Sequence, residues 1–305
     1  MFRKRTIIII LVLTMVLVFG ISANAFADDA SAPSFVIIGG KTLYSTQYMD
    51  CNGDIGYREP VNGFAYYEYG EEYGKLTLNN FVYESDKQYL IRSYVGSFQI
   101  DLVGKNSLTN TSSKEHAAAI NVISGNIEII GDGSLEINMK ENSIGSAGIS
   151  MSELTFGKAT LVINCGENTS GIKVEDDLTI NSGNINITVG DRGINASGIT
   201  TINGGFIKVE GQNGAICAPL SEVAAEIPIK AGDSWDALTE YTSLSDAANA
   251  KCVEIGTESK PEPESEPESD VPKTADTNRV LLYSCIAFTS ILLLGVAIRN
   301  VRRNQ

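Results

Sequence analysis

Two phrases decide how this chain folds: LTINSGNINI, Leu178 to Ile187, and TTINGGFIKV, Thr200 to Val209. They are near copies, and looser copies lie upstream. Alignment on them gives a column of apolar residues, Val103, Ile130, Phe156, Ile180 and Ile202, separated by 27, 26, 24 and 22 residues. A second column runs five positions on through Leu108, Leu135, Leu161, Ile185 and Ile207, and a third joins Ile149, Ile172, Ile194 and Ile216. Gly104, Gly131, Gly157, Asn181 and Asn203 follow the first column, where a turning chain needs residues that tolerate positive φ. KLTLNNFVYE, Lys75 to Glu84, extends the array, with Leu78 aligned on Val103. Tandem units of roughly 20 to 30 residues made of short alternating strands specify a β-solenoid. The expectation is about six coils over residues 75–217, a column on the order of 30 Å tall at the usual strand spacing.

The rest of the composition agrees with an all-β chain: 29 Gly and 12 Tyr stand among abundant Ile, Val, Thr and Asn, with few runs at helical period. The net charge is −14 over 305 residues, and residues 28–274 carry 16 basic against 36 acidic side chains. Such a surface repels nucleic acid, so no nucleic-acid partner is expected, and it weighs against polyanionic glycans. Five Cys at 51, 165, 217, 252 and 285 form no CxxC pair, so neither a metal site nor a cofactor is expected. Cys51, Cys165, Cys217 and Cys252 leave three disulfide connectivities open, while the place of Cys165 and Cys217 beside the repeat columns reads as core.

Both ends depart from globular sequence. Residues 1–27 read as a secretory signal, with Arg3, Lys4 and Arg5 before an apolar run and A-x-A cleavage sites at Ala25 and Ala27. Residues 28–74 and 218–257 are expected to cap the solenoid, the second through strands at Ile227 to Ile229 and Cys252 to Ile255 and a helical turn over Leu244 to Ala250. Residues 258–275 form an acidic Pro-rich linker that ends in VPKTA, and the stretch 258–270 has no apolar surface to bury. Residues 280–298 are an uncharged, predominantly apolar segment long enough to cross a bilayer as a transmembrane helix. Residues 299–305 carry Arg299, Arg302 and Arg303, a basic cytoplasmic tail.

Chemistry is sparse. His116 is the only histidine, which removes His-based triads and multi-His metal centres. A hydrolase or lyase would have to use carboxylates such as Asp132, Asp176, Asp177 and Asp191 with Arg192. Asp132 in GDG and Asp191 in GDRG also read as turn residues, so no catalytic residue is assigned. The remaining candidates are aromatic: Tyr66, Tyr67, Tyr69 and Tyr73 in the N-terminal cap, and Trp235 in the C-terminal one, pack within the caps or stack on sugars.

VPKTADTN, Val271 to Asn278, followed by a hydrophobic span and an Arg-rich end, resembles the cell-wall sorting signal of Gram-positive surface proteins, whose usual pentapeptide is LPXTG. The resemblance implies recognition of Val271, Pro272, Lys273, Thr274 and Ala275 by a sortase, with Thr274 as acyl donor and wall peptidoglycan as acceptor. Val271 replaces Leu and Ala275 replaces Gly in that pattern. Residues 75–217, with phrases of the LTINGG kind, resemble carbohydrate-binding-domain-containing proteins exported by clostridia and their relatives, and through them the pectate-lyase-like right-handed parallel β-helix. These resemblances imply a non-enzymatic surface protein that binds carbohydrate or another surface. A surface polysaccharide lyase or glycosidase and a ligand-free spacer remain the alternatives.

Overall fold

The computed structural model describes residues 35–258 except 71–72, 95–96 and 141–143. These residues form a parallel β-solenoid of the right-handed type with about six coils and almost no helix. Each coil gives one strand to each of three sheets. The first coil supplies Gly74–Asn79 to sheet 1, Val82–Ser85 to sheet 2 and Tyr89–Ser93 to sheet 3. The last supplies Ile199–Ile202, Phe206–Gly211 and Ile216–Cys217, after which Leu220–Val223 adds a final strand to sheet 1.

Backbone pairing holds the coils in register, and register sets the core. On sheet 3 the column is Ile91, Ile120, Ile149, Ile172, Ile194 and Ile216, paired rung by rung and closed to solvent. On sheet 1 it is Leu76, Ile100, Ile129, Phe156, Ile180, Ile202 and Val223. All but Val223 are shielded from water, and each such aliphatic side chain contributes about 1.5–3 kcal/mol. The later rungs match the sequence alignment, and the earlier ones correct it. Ile100 and Ile129 occupy the inward sites assigned to Val103 and Ile130, whereas Val103 is 42% exposed and Leu78 pairs with Leu102.

The second column slips for a physical reason. Asn106, not Leu108, pairs with Leu135, and Leu108 pairs with Ile137. Asn106 is buried at an aliphatic site because its amide is fully used. Its Oδ1 accepts the Phe81 N–H at 2.8 Å, and its Nδ2 donates to the carbonyls of Val103 and Ser134 at 3.2 and 3.1 Å. A buried polar group is tolerated only with such partners. Turn chemistry also shifts along the array. Gly104 and Gly131 adopt positive φ as expected, but in later coils Gly183 and Gly205 do so instead of Gly157, Asn181 and Asn203. Asn203 and Asn181 are spent on an inter-coil link, Nδ2 to Oδ1 at 2.9 Å.

Gly148, Gly171 and Gly193 each precede an isoleucine of the sheet 3 column. A Cβ on Gly171 would stand 2.6 Å from Ile187 Cγ2, and one on Gly193 would stand 2.0 Å from Val209 Cγ1. In these coils the corner between sheets 2 and 3 leaves no room for a side chain at that position, whereas Leu90, Ala119 and Ala215 hold it in the others.

Antiparallel strands close both ends. Phe35–Ile38 and Lys41–Tyr44 form a hairpin laid on Tyr89–Ser93, while Gln47–Asp50 and Phe64–Tyr69 extend sheet 1. At the other end Cys252–Ile255 pairs with Phe206–Gly211 and carries Ile229–Gly232, which in turn pairs with Thr239–Tyr241. Leu244 to Ala250 makes two successive i→i+3 turns. The segment around His116 is a loop, with His116 exposed at φ 56°. The secretory signal, the linker, the sorting motif at Val271 to Ala275 and residues 280–298 lie outside the described residues. No helix among the described residues is long and apolar enough to cross a membrane.

Asn106→Leu restores the aliphatic column yet strands the Phe81 N–H, so it should destabilise the full-length chain by about 1–3 kcal/mol. Urea unfolding midpoints of the variant and wild type measure this; an unchanged or raised midpoint would show that the Asn106 network contributes nothing.

Candidate functional site

The carboxylates that a lyase or glycosidase would need are dispersed over the three corners of the solenoid. Asp132 stands at the corner between sheets 1 and 2, ion-paired with Lys158 at 2.9 Å and strongly exposed. Asp176 and Asp177 turn the chain between sheets 3 and 1, with Asp177 Oδ1 accepting the Ile199 N–H at 2.7 Å. Asp191 stands between sheets 2 and 3, where Ser170 and Asn213 donate to it at 2.9 and 3.0 Å. Burial pushes its pKa up, but the Asn213 and Ser170 hydrogen bonds and the Arg192 charge outweigh that and hold it below the usual carboxylate value. Asp132, Asp177 and Asp191 each have a structural partner, and the three stand at different corners.

Two of the predicted aromatic contacts belong to the core. Tyr67 is fully buried against Phe98, with ring centroids 6.4 Å apart, and its hydroxyl has no hydrogen-bond partner. Burial, with a smaller contribution from Tyr69, pushes its pKa up to about 12. Tyr69 packs partly buried on the same core. Alternation is the reason: Phe64–Tyr69 sends Tyr67 inward and Tyr66 outward. Trp235 is held on the outside of sheet 2, against the last coil's strand Phe206–Gly211. Its Nε1 donates to Glu210 at 2.8 Å, and Lys208 Nζ lies 4.3 Å from the ring centroid. It clasps the C-terminal cap to the solenoid.

Tyr66 remains, and it has a neighbour the sequence reading did not select. Tyr48 is its cross-strand partner, with ring centroids 4.5 Å apart and planes inclined at 32°. Burial raises the Tyr66 pKa, with help from Glu68 and Tyr48. On the same outward face of sheet 1, two strand spacings away and so about 10 Å along the array, lies a depression of about 210 Å³. Its polar lining is Tyr73, Ser97, Gln99, Asn126, Glu128 and Thr155. Gln99 Nε2 donates to Glu128 at 2.7 Å, and the Asn126 amide, turned to present its nitrogen, donates to Glu153 at 2.9 Å. Between the tyrosines and the depression, Lys75 pairs with Asp101 at 2.7 Å. These polar residues were missed because each looks like an ordinary outward residue of an alternating strand, as Gln99 does in SFQIDLV and Glu128 in NIEIIG. Stacked by register, they become one surface.

The four described cysteines are free thiols. Cys165 occupies an inward rung beside Met139 and packs on the core, and burial pushes its pKa up to about 12. Cys217 corrects the core assignment: Ile216 takes the inward site, so Cys217 is half-buried on the outside next to Asn195. The buried cysteine is Cys252, in the cap.

No family model, no curated protein and no solved structure matches this chain.

The raised Tyr67 and Cys165 values fix a sign. Both groups are neutral in the fold and ionise more readily once unfolded, so their stabilisation is complete below about pH 9 and is lost as pH rises toward 12. Urea midpoints of the full-length chain should therefore fall between pH 8 and pH 11, and less steeply in Cys165→Ala; equal slopes would remove Cys165 as a source of the effect.

Proposed function

We propose that this chain is a non-enzymatic surface protein of a Gram-positive bacterium that binds carbohydrate through the outward face of sheet 1. The Val271–Ala275 sorting signal and the apolar segment 280–298 hold it at the cell envelope. The observation that carries the reading is the pairing of Tyr48 and Tyr66 on the same face as the Gln99–Glu128 and Asn126–Glu153 pairs. Tyrosine rings stack on the apolar faces of sugars, and amides beside carboxylates offer donors and acceptors that match vicinal hydroxyls. The depression accommodates one sugar unit of a longer chain, and the sheet beside it supplies the extended contact. The dispersal of Asp132, Asp176, Asp177 and Asp191 favours binding over cleavage.

Binding of the full-length chain to a glycan array tests the reading, followed by titration of the best ligand against variants. Tyr66→Ala removes one stacking ring and should weaken binding about tenfold, the equivalent of about 1.4 kcal/mol. No binding to any neutral glycan, or a Tyr66→Ala titration that overlays wild type, refutes the sheet 1 site.

The anchor is tested separately by cell fractionation. Wild type should resist detergent extraction until the wall is digested, and Thr274→Ala should be released by detergent alone. Detergent extraction of both would exclude covalent attachment.

A further inference from the structure

The charge of this protein is unevenly distributed among its sheets. The strands of sheet 1 contain Asp50, Glu68, Asp101, Glu128, Glu153 and Glu222. Those of sheet 2 contain Glu84, Glu136, Glu167, Glu210, Glu240 and Glu254. The eight strands of sheet 3 contain no Asp or Glu at all. In a chain of net charge −14, a sheet whose strands carry cations but no carboxylate, with exposed Glu175 just past the end of Thr169–Val174, is a local reversal of the field.

Register places those cations in one line. Arg92, Asn121, Ser150, Lys173, Asn195 and Cys217 are successive outward rungs of sheet 3. Lys173 is exposed and, among the described residues, neither it nor Arg92 forms an ion pair. Arg92 is held in place by aromatic rings: its guanidinium lies 4.7 Å from the ring centroids of both Tyr89 and Tyr94. Its Nε is buried with no hydrogen-bond partner. With the guanidinium packed against two rings and Nε buried, the terminal Nη N–H groups remain to bind, and that fork matches a planar oxyanion. At the far end of the line, Arg192 and Asn195 line a depression of about 440 Å³ beside Cys217. Asp191 stands beside Arg192 at the corner, where it accepts from Ser170 and Asn213 and also feels the Arg192 charge, so Arg192 is the most compensated of the three cations.

We propose that sheet 3 is a second binding face, specific for an acidic glycan, which lies along the Arg92-to-Asn195 line with its anionic groups on Arg92, Lys173 and Arg192. The line crosses four strand intervals, about 19 Å, which fits a linear polymer better than a compact anion. The rungs between the cations, Asn121 and Ser150, present an amide and a hydroxyl, and these suit hydroxylated rings. The overall negative charge, which repels polyanions at long range, is screened beyond about 10 Å at 0.1 M salt, so contact with this face is governed by its own cations. The site is independent of sheet 1: either can fail alone.

The test is binding of the full-length chain to four immobilised probes: a polyuronate, a sulfated glycan, neutral dextran and poly-L-glutamate. Wild type should bind the polyuronate or the sulfated glycan, the preference between them identifying carboxylate or sulfate as the recognised group. It should bind dextran and poly-L-glutamate at least about tenfold more weakly, and the acidic signal should fall as salt rises, as screening requires. Lys173→Glu, at an exposed site that leaves the fold intact, should reduce binding to the acidic glycan about tenfold or more, the counterpart of about 1.4 kcal/mol. Arg92→Ala should act in the same direction, while Tyr66→Ala on sheet 1 should have no effect. Failure to bind either acidic glycan, full binding by Lys173→Glu, or poly-L-glutamate bound as tightly as the glycan would each overturn the proposal, the last in favour of an acidic-peptide site.

Discussion

Parallel register between coils is the constraint on which this structure depends. Each strand must satisfy its backbone N–H and C=O groups against the strand below and the strand above, because a buried orphan costs too much. That requirement fixes which residue sits on which, and a side chain that fits one coil has its counterpart directly beneath it. The isoleucine column on sheet 3 and the glycines that precede it follow from this alone. Six isoleucines fill the same site in six coils, and three glycines avoid the same neighbour at the same corner.

The same constraint explains why polar residues interrupt the columns only where they do useful bonding. Asn106 replaces an aliphatic rung and binds three backbone groups in three successive coils. Asn110, also buried, donates to the Ala118 carbonyl at 3.1 Å and accepts the Ser112 N–H at 2.8 Å, securing the loop that carries His116. Both asparagines stand where the repeat is longest and its corners most irregular. They take over hydrogen bonds that regular strands supply elsewhere, at the cost of apolar contact in the core.

A solenoid also turns sequence into surfaces. Residues more than 20 positions apart become neighbours at a strand spacing of about 4.8 Å, so a weak bias in each repeat adds up to a face. Sheet 1 gathers tyrosines and amide–carboxylate pairs, sheet 2 carries acids and the Trp235 clasp, and sheet 3 is free of acids. Register thus gives one solenoid three faces of different chemistry.

The sequence by itself determined the repeat, the number of coils and most of the core. Periodicity in LTINSGNINI and TTINGGFIKV records apolar burial directly, and later rungs such as Ile180 to Ile202 carry little insertion. It misplaced Val103, Ile130 and Leu108, because loops of variable length and the inward Asn106 shift the register without changing the composition of the repeat. It also grouped Tyr66 with Tyr67, although strand alternation sends one ring outward and the other into the core. Only the tertiary structure decided which side chains share a face. Tyr48 meets Tyr66, Gln99 meets Glu128, and Arg92 lines up with Lys173, because backbone hydrogen bonding between coils, which no local stretch of sequence encodes, sets the register that brings them together.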